Sequence, residues 1–440
     1  MIAALVRGRI YYGWVVAGAA FVTLLVASGV RSTPAILFVP LRDEFGWDAA
    51  TVSVAVTINL LLFGLAGPFA AALMDRWGMR RVVSAAMLAI AAAAFLSTRM
   101  SEPWQLDLLW GVLSGIGVGA ISTVLAATIA ARWFVRRRGL VMGICSAASG
   151  SGQLLAMPLL AAAVTGVGWR GMCVLIGIVA VLTVPLAASL LRDRPEQLDM
   201  LPYGAAAPVP AASSRAGNPI ATAFRTLGDA ARDRGFWILS LSFMLCGATS
   251  TGILGAHLIP ASVDHGLTQV NAANLLGIVG IVGLIATVIS GWLTDRYDPR
   301  KLLAIYYLSR SAAMFALPGA FDTEWRLLAA MAIHGFDWVA TLPPTAALAT
   351  ELFGRQRGPQ VVGWVLVGHQ VGAAAAAYVI GLSRVMLGSY DPAFLIAGVV
   401  SIAAAVLALM VPYGQARGTP PTPLRPGAPL FRVTARRVTG

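Results

Sequence analysis

The stretch ALMDRWGMRRVV, residues 72–83, places an aspartate, a glycine and three arginines between two apolar runs. A related stretch, GWLTDRYDPRKLL, occupies residues 291–303, so that Asp75 and Asp295 are 220 positions apart. In a second pair of stretches, ARWFVRRRGLVMG (131–143) and ELFGRQRGPQVVG (351–363), Phe134 matches Phe353 and Gly139 matches Gly358, each at an offset of 219. Two matches in the same order at nearly one offset indicate a duplicated half.

The composition places both copies in a membrane protein. Of the 440 residues, 58% are hydrophobic and only 12% are charged, against about 25% charged in soluble domains. The net charge of +13 does not indicate nucleic-acid binding, because the basic residues lie in short loops and not on one face. The three cysteines, in apolar segments, show neither pairing nor metal-ligand spacing and are interpreted as packing residues.

Apolar runs long enough to cross the bilayer recur along the whole chain. The sequence predicts an all-α integral membrane protein of twelve spans in two six-helix repeats. The expected domains are an N-terminal half (1–191), a linker (192–234) rich in Pro, Ala, Ser and Gly, a C-terminal half (235–412) and a disordered tail (413–440). The predicted spans are 12–39, 50–73, 82–98, 106–131, 139–165, 170–191, 235–261, 269–293, 301–319, 325–351, 358–383 and 391–412.

The loops also predict the orientation. The loops on one side of the membrane carry most of the arginines, whereas those on the other side are mixed or acidic. By the positive-inside rule, the arginine-rich side and both termini are expected to face the cytoplasm, with the protein in the cell membrane.

The repeated acidic and basic loop has a physical rationale. A carboxylate at a helix end can pair with arginines and accept hydrogen bonds from backbone N–H groups, which fixes two helices in one arrangement. The loop resembles the signature loop G-x-L-x-D-R-x-G-x-R-R of the major facilitator superfamily, with Ala71 in place of its first glycine. The resemblance implies that this loop helps to gate a conformational change, here through Asp75, Arg76, Gly78, Arg80, Arg81, Asp295, Arg296 and Arg300.

Other stretches resemble the monocarboxylate and oxalate:formate carrier branch of that superfamily. These are YYGWVVAGAAF (11–21), LRDEFGW (41–47), RWFVRRRGLVMGI (132–144) and GFDWVATLPPTAAL (335–348). The fifth span lacks the Gly-Pro signature of drug:proton antiporters. The animal-type carriers have an aspartate and an arginine in the eighth span, whereas this chain has Gly283 and Thr287 there.

Charged residues inside the spans are candidates for function, because each costs roughly 2.5–3.5 kcal/mol near the bilayer centre. Arg31 in the first span is expected either to snorkel to the outer interface or to bind a substrate carboxylate; the carrier branch has a basic residue at the comparable place. His257 in the seventh span is either a packing histidine or a proton-accepting partner of the substrate. The resemblance implies that spans 1, 4, 7 and 10 line a central cavity.

Four further positions complete the candidates. Arg310 and Asp337 are predicted at similar depth in adjacent spans, either as a structural ion pair or as the group that couples transport to a second ion. His369 and Gln370 are weaker substrate-binding candidates, because the oxalate:formate branch has a basic residue in this span.

Together these features predict a secondary transporter of small organic anions, above all monocarboxylates, working by alternating access with proton symport or anion exchange. No catalytic, metal or cofactor site is expected, and the protein is predicted to be a monomer that binds no nucleic acid. An efflux carrier for another small molecule and a transporter-like nutrient sensor remain as alternatives.

Overall fold

A computed structural model describes residues 11–47, 49–206 and 218–414. Within them, ten helical stretches are long and apolar enough to cross a membrane. One of the ten, Glu324–Arg384, holds two helices on either side of Gly354, and Pro299–Ala320 adds a further, less apolar helix. Twelve membrane helices therefore form the described part of the chain, which confirms the predicted fold class.

The first half contains the six helices α1 to α6. They are α1 (Tyr12–Val30 and Thr33–Phe45), α2 (Ala49–Trp77), α3 (Met79–Ser97), α4 (Pro103–Leu106, Asp107–Leu113, Ser114–Ala120 and Thr123–Trp133), α5 (138–167) and α6 (169–190). The helix assigned as Arg138–Leu190 divides into α5 and α6 at Gly168, whose φ of 73° breaks the helical path.

The second half repeats this order. It contains α7 (Arg234–Gly247, Ala248–Gly255 and Ala256–Asp264), α8 (Gln269–Thr294), α9 (Pro299–Ala320), α10 (Glu324–Asp337 and 342–353), α11 (355–387) and α12 (Asp391–Met410). Gly354, with a φ of 78°, separates α10 from α11 as Gly168 separates α5 from α6. A separate linker helix, Pro219–Ala230, lies between the halves in sequence.

The first and fourth helices of each half are interrupted. Helix α1 breaks at Arg31 and Ser32, and α4 breaks at Ile121 and Ser122 after an earlier π-helical segment. Helix α7 contains the π-helix Ala248–Gly255, and α10 breaks over residues 338–341. Irregular backbone at membrane depth is tolerated only where protein or a water-filled cavity surrounds it. The interruptions therefore indicate the interior positions where a polar site can form.

The two halves meet mainly through two helix pairs, α5 with α8 and α2 with α11. Close approach of backbones makes these contacts: a Cβ added at Gly143 would lie 2.7 Å from the Thr287 carbonyl oxygen, and one at Gly363 would lie 2.7 Å from the Pro68 nitrogen. The side of the bundle that carries the loops after α2 and α8 is called the signature side below.

The predicted linker and tail are only partly described. Residues 207–217 and 415–440 lie outside the described residues, so the disorder predicted for the tail stays a prediction. The first tail residues do contact the second half: the Gly414 N–H donates to Glu351 (3.1 Å), and Arg300 lies over the Tyr413 ring.

Candidate functional site

Arg31 lies at the break of α1, inside the first half. Its guanidinium carbon is 4.1 Å from the centre of the Phe63 ring on α2. Among the described residues, no carboxylate lies within ion-pair distance of it. Because Arg31 is followed by a second helical segment of 13 residues and packs against α2, the structure places its side chain within the bundle. Whether Arg31 binds a substrate carboxylate or snorkels to the outer interface stays a prediction.

A small, partly open cavity adjoins Arg31. Its wall combines one cation, a few hydroxyl or carbonyl groups and an apolar remainder. The lining residues are Leu24, Ala27, Ser28, Arg31, Phe63, Val118, Ile121, Ser122 and Ser149. A small, largely apolar pocket with few polar groups is the usual form of a small-molecule site.

Arg310 and Asp337 form a fully buried ion pair between α9 and α10. Both Nε and Nη2 of Arg310 lie 2.7 Å from Oδ2 of Asp337, and neither side chain has exposed surface. The Arg310 Nη1 group donates to the Cys246 carbonyl oxygen (2.9 Å) and to Oγ1 of Thr249 (3.0 Å) on α7. One arginine thus joins three helices of the second half, two of which are interrupted beside it.

The surroundings of the ion pair are incompletely satisfied. The second oxygen of Asp337, Oδ1, has no hydrogen-bond partner among the described residues and lies 3.8 Å from Nδ1 of His334. His334 is itself fully buried. Cys246, interpreted from the sequence as a packing residue, lies 3.3 Å from Arg310 Nη1 and 3.7 Å from the Thr341 hydroxyl. A buried, unpaired carboxylate oxygen beside a histidine is an arrangement that can accept a proton.

His257 lies against α11 and α12. Its Nε2 is 2.8 Å from the Ala377 carbonyl oxygen, so this nitrogen is the donor, and its ring lies 5.5 Å from that of Tyr390. His369 packs on Phe243 of α7 with ring centres 4.7 Å apart, and its Nδ1 lies 3.0 Å from Oε1 of Gln370. The structure does not bring these three candidates into the cavity beside Arg31.

Gln370 instead lies at the contact between the halves. A Cβ added at Gly64 on α2 would be 3.1 Å from its Cγ. The position of the eighth-span pair in the animal-type carriers is also filled by packing, because Gly283 faces the Gly335 carbonyl oxygen and the Trp338 side chain on α10. The Thr287 hydroxyl bonds back to the Gly283 carbonyl oxygen (2.6 Å). A carboxylate and a guanidinium would have to displace Trp338 and α5 from these places.

The two signature aspartates each hold the start of an odd-numbered helix in the opposite half. Asp295 accepts from the backbone N–H groups of Gly139 (2.7 Å) and Leu140 (2.9 Å), at the start of α5. Asp75 accepts from the side-chain amide of Gln360 on α11 (2.8 Å) and pairs with Arg132 of α4 (2.5 Å). The repeat thus produces two crossed contacts that close the signature side.

Burial at the contact between the halves acts on the Asp295 carboxylate. At the contact between the halves, desolvation raises the pKa of Asp295, although the N–H groups of Leu140 and Gly139 and the nearby arginines oppose the shift. The second-half loop is stabilised separately, because Asp298 caps α9 by accepting from the Arg300 N–H (2.9 Å) and also pairs with the Arg300 guanidinium (2.8 Å).

The other signature residues have local contacts. Gly78 has a φ of 88°, and its missing Cβ leaves room for the Asp193 carboxylate, which accepts from the Met79 N–H. Arg80 and Arg81 are exposed, as is Arg76, which has a contact of its own. Arg296 donates to the Trp292 carbonyl oxygen (3.0 Å) and lies over the Trp292 ring. The gating role of these loops stays a prediction.

A side chain at the contact between Gly291 of α8 and Gly143 of α5 should disturb the closure of the signature side. A Cβ added at Gly291 would lie 2.7 Å from the Cα of Gly143, and real Cβ atoms do not approach so closely. Overpacking of this size costs about 1–3 kcal/mol, so we expect Gly291→Ala to shift the equilibrium roughly tenfold toward a signature side that is open. Spin labels at the exposed positions 77 and 297 would report the separation of the halves.

The matched control lies in the same helix. Gly277 on α8 has no atom within 4 Å of an added Cβ, so Gly277→Ala should leave the distance distribution unchanged. Equal distributions for Gly291→Ala and the wild type would show that the glycine contact does not limit closure.

The linker helix crosses the same interface. Its Thr226 hydroxyl donates to Oε1 of Gln360 (2.6 Å), the residue that also holds Asp75. Phe224 lies 5.5 Å from the Phe69 ring of α2 and 5.9 Å from the Trp364 ring of α11. The contacts of this helix with both halves cannot be read from the sequence.

The aromatic stretch YYGW, residues 11–14, contacts the linker. The Tyr11 hydroxyl donates to the carbonyl oxygens of Trp133 (2.9 Å) and Leu201 (3.0 Å), and Tyr12 donates to that of Leu190 (3.0 Å). The YYGW stretch therefore binds the end of α4 and the first part of the linker to α1.

The comparisons with known proteins agree with this architecture. The family model of the Major Facilitator Superfamily matches residues 19–377. The chain belongs to the Major Facilitator Superfamily. It is a superfamily transporter, and its helices are those of a multi-pass membrane protein.

Characterised and uncharacterised relatives within the superfamily share about a quarter of its residues. The chain is 26% identical to monocarboxylate transporter 11 of Homo sapiens over 88% of this chain and 80% of that protein. It is 27% identical to monocarboxylate transporter 13 of Bos taurus, over 91% and 90%. The uncharacterised MFS-type transporter YcxA of Bacillus subtilis (strain 168) is 26% identical over 86% and 90%.

Solved superfamily structures have the same fold. The proton:xylose symporter XylE superimposes with a TM-score of 0.69, covering 91% of this chain and 96% of that chain at 17% identity. This similarity shows that the chain has the fold of the superfamily.

Proposed function

We propose that this transporter carries small monocarboxylates across the cell membrane by alternating access. The observation that carries the proposal is Arg31, a cation at the wall of a cavity, with no carboxylate partner among the described residues. An uncompensated guanidinium in a low-dielectric interior is costly and favours the binding of an anion. The names of the relatives, monocarboxylate transporters 11 and 13, support the same substrate class.

Proton symport is the coupling that we propose, with anion exchange as the second mode. The Arg310–Asp337 pair, with the free Oδ1 of Asp337 beside His334, supports a proton site in the second half. His257, His369 and Gln370 are retained as residues that contact the substrate in another state of the cycle. The gating residues of the two signature loops would hold the state described above.

The proposed cycle uses the two halves as moving units. The N-terminal half (1–191) and the C-terminal half (235–412) would rock about their interface, with 192–234 as connector, in a monomer. The proposed orientation has the signature side and both termini in the cytoplasm, because that side carries the arginine-rich loops. The described state would then be closed toward the cytoplasm.

Flux through proteoliposomes tests the function. We expect saturable uptake of labelled acetate, propionate, lactate or pyruvate, with counterflow, because a carrier exposes one site alternately to each side. An inside-alkaline pH gradient should accelerate uptake in symport, whereas an exchanger should need a trans anion instead. A protein that binds but shows no flux would be a sensor, and uptake confined to uncharged compounds would favour the efflux carrier; either result contradicts the proposal.

A further inference from the structure

Ser122 opens the last segment of α4 without capping it. It precedes the helix Thr123–Trp133 with extended backbone dihedrals, φ −68° and ψ −163°, which is the usual N-cap geometry. An N-cap serine normally accepts a hydrogen bond from the helix backbone through its hydroxyl oxygen, but the Ser122 side chain makes no such bond. The residue is only 2% exposed, and its Oγ has no partner among the described residues.

This unpaired hydroxyl belongs to the wall of the Arg31 cavity. Ser122 and Ile121 form the α4 part of the lining, and Arg31 and Ser28 form part of the α1 side. The Ser28 hydroxyl already donates to the Ser149 carbonyl oxygen. The Ser122 hydroxyl, in contrast, has no partner among the described residues and is available to a ligand.

The helix that starts at Ser122 adds a second attraction for negative charge. It has 11 residues, and the first N–H groups of a helix lack partners within it. These N–H groups and the aligned peptide dipoles favour an anion at the helix start. A buried hydroxyl, a helix N-terminus and a guanidinium thus adjoin one small cavity.

We propose that the break in α4 is the second half of a carboxylate site: Ser122 and the start of its helix bind the anion that Arg31 attracts. The inference rests on the proposed function and extends it to a positioned site with a defined selectivity. Arg31 supplies the charge and is held over the Phe63 ring. Ser122 supplies a directed donor on the opposite helix.

The remaining lining determines which acids fit. Leu24, Ala27, Val118 and Ile121 offer no polar side chain to a second charged group. A second carboxylate would lose its water without meeting a second cation in this lining, which is unfavourable. The site should therefore prefer a short monocarboxylate such as propionate to malonate, in which a carboxylate replaces the methyl group.

Binding of labelled propionate to the purified full-length protein in nanodiscs tests the site. We expect Ser122→Ala to weaken propionate binding roughly tenfold, the size of one charge-assisted hydrogen bond, and to change competition by the uncharged propionamide little. Ser122→Gly removes the same hydroxyl and suits the N-cap position, so it should behave alike. Malonate should compete at least tenfold more weakly than propionate.

Ser114→Ala is the matched control. Ser114 also lies on α4, is 1% exposed and has an unpaired Oγ, but it is not among the cavity residues. If Ser122→Ala and Ser114→Ala affect propionate equally, or if Ser122→Ala weakens propionamide as much as propionate, the Ser122 site is wrong. That result leaves the proposed function intact when Arg31→Ala still weakens propionate binding, whereas wild-type protein that binds no propionate overturns both.

Discussion

Asp337→Ala is expected to destabilise the protein by about 3–5 kcal/mol, because the Arg310 guanidinium would remain buried without its counter-charge. Both side chains have no exposed surface, so water cannot replace the lost carboxylate without rearrangement of α9 and α10. Thermal unfolding of the purified protein in one detergent would show the loss as a lower melting temperature.

A double variant separates the structural role of this pair from a coupling role. Arg310→Met with Asp337→Val removes both charges, and replacement of a buried pair by apolar residues is often neutral or stabilising. We expect the double variant to recover most of the melting temperature and to lose uptake driven by a pH gradient. Full retention of that uptake would identify a purely structural ion pair. A single variant as stable as the wild type would contradict the buried-pair account.

Arg31→Ala should reduce the affinity for monocarboxylates on the order of a hundredfold, since the loss of one member of a buried charge pair costs about 2–5 kcal/mol. Arg31→Lys keeps the charge but loses the planar guanidinium fork, so its affinity should fall between those of the wild type and of Arg31→Ala. Concentration dependence of uptake into proteoliposomes measures the effect for all three proteins.

An exposed arginine on the same helix provides the control. Arg42, in the second segment of α1, has a 55% exposed side chain that pairs with Asp43. Arg42→Ala should leave uptake close to that of the wild type. If Arg31→Ala behaves in the same way as Arg42→Ala, Arg31 is not the carboxylate ligand.

The fold was predictable because its information is local and duplicated. Apolar length gives the spans, and the matching positions of Asp75 and Asp295 give the two halves without any knowledge of distant contacts. The close packing at Gly119 was predictable for the same reason, because a glycine-rich run inside a span favours close helix packing. The missing Cβ of Gly119 leaves room for Ala66 and the Phe63 backbone.

The site was less predictable because its features depend on partners far away in sequence. The sequence around Ser122 does not predict a broken helix, because no proline precedes it. The break forms where α4 packs against α1 and α2. Cys246 and Gln360 have ordinary local sequences, yet one contacts Arg310 and the other reaches Asp75, 285 positions away. Single charges in spans identified Arg31, Arg310 and Asp337, but not the polar uncharged groups that complete their surroundings.

The docked linker helix changes what the connection between the halves is mechanically. Phe224 contacts both Phe69 and Trp364, whose ring centres are themselves 5.9 Å apart, so the three rings form one aromatic cluster. When α2 and α11 separate on this side, Phe224 must lose its contact with Phe69 or with Trp364, which exposes aromatic surface to water. The linker helix therefore resists separation of the halves. Part of the free energy of opening is spent on breaking contacts outside the membrane-spanning helices.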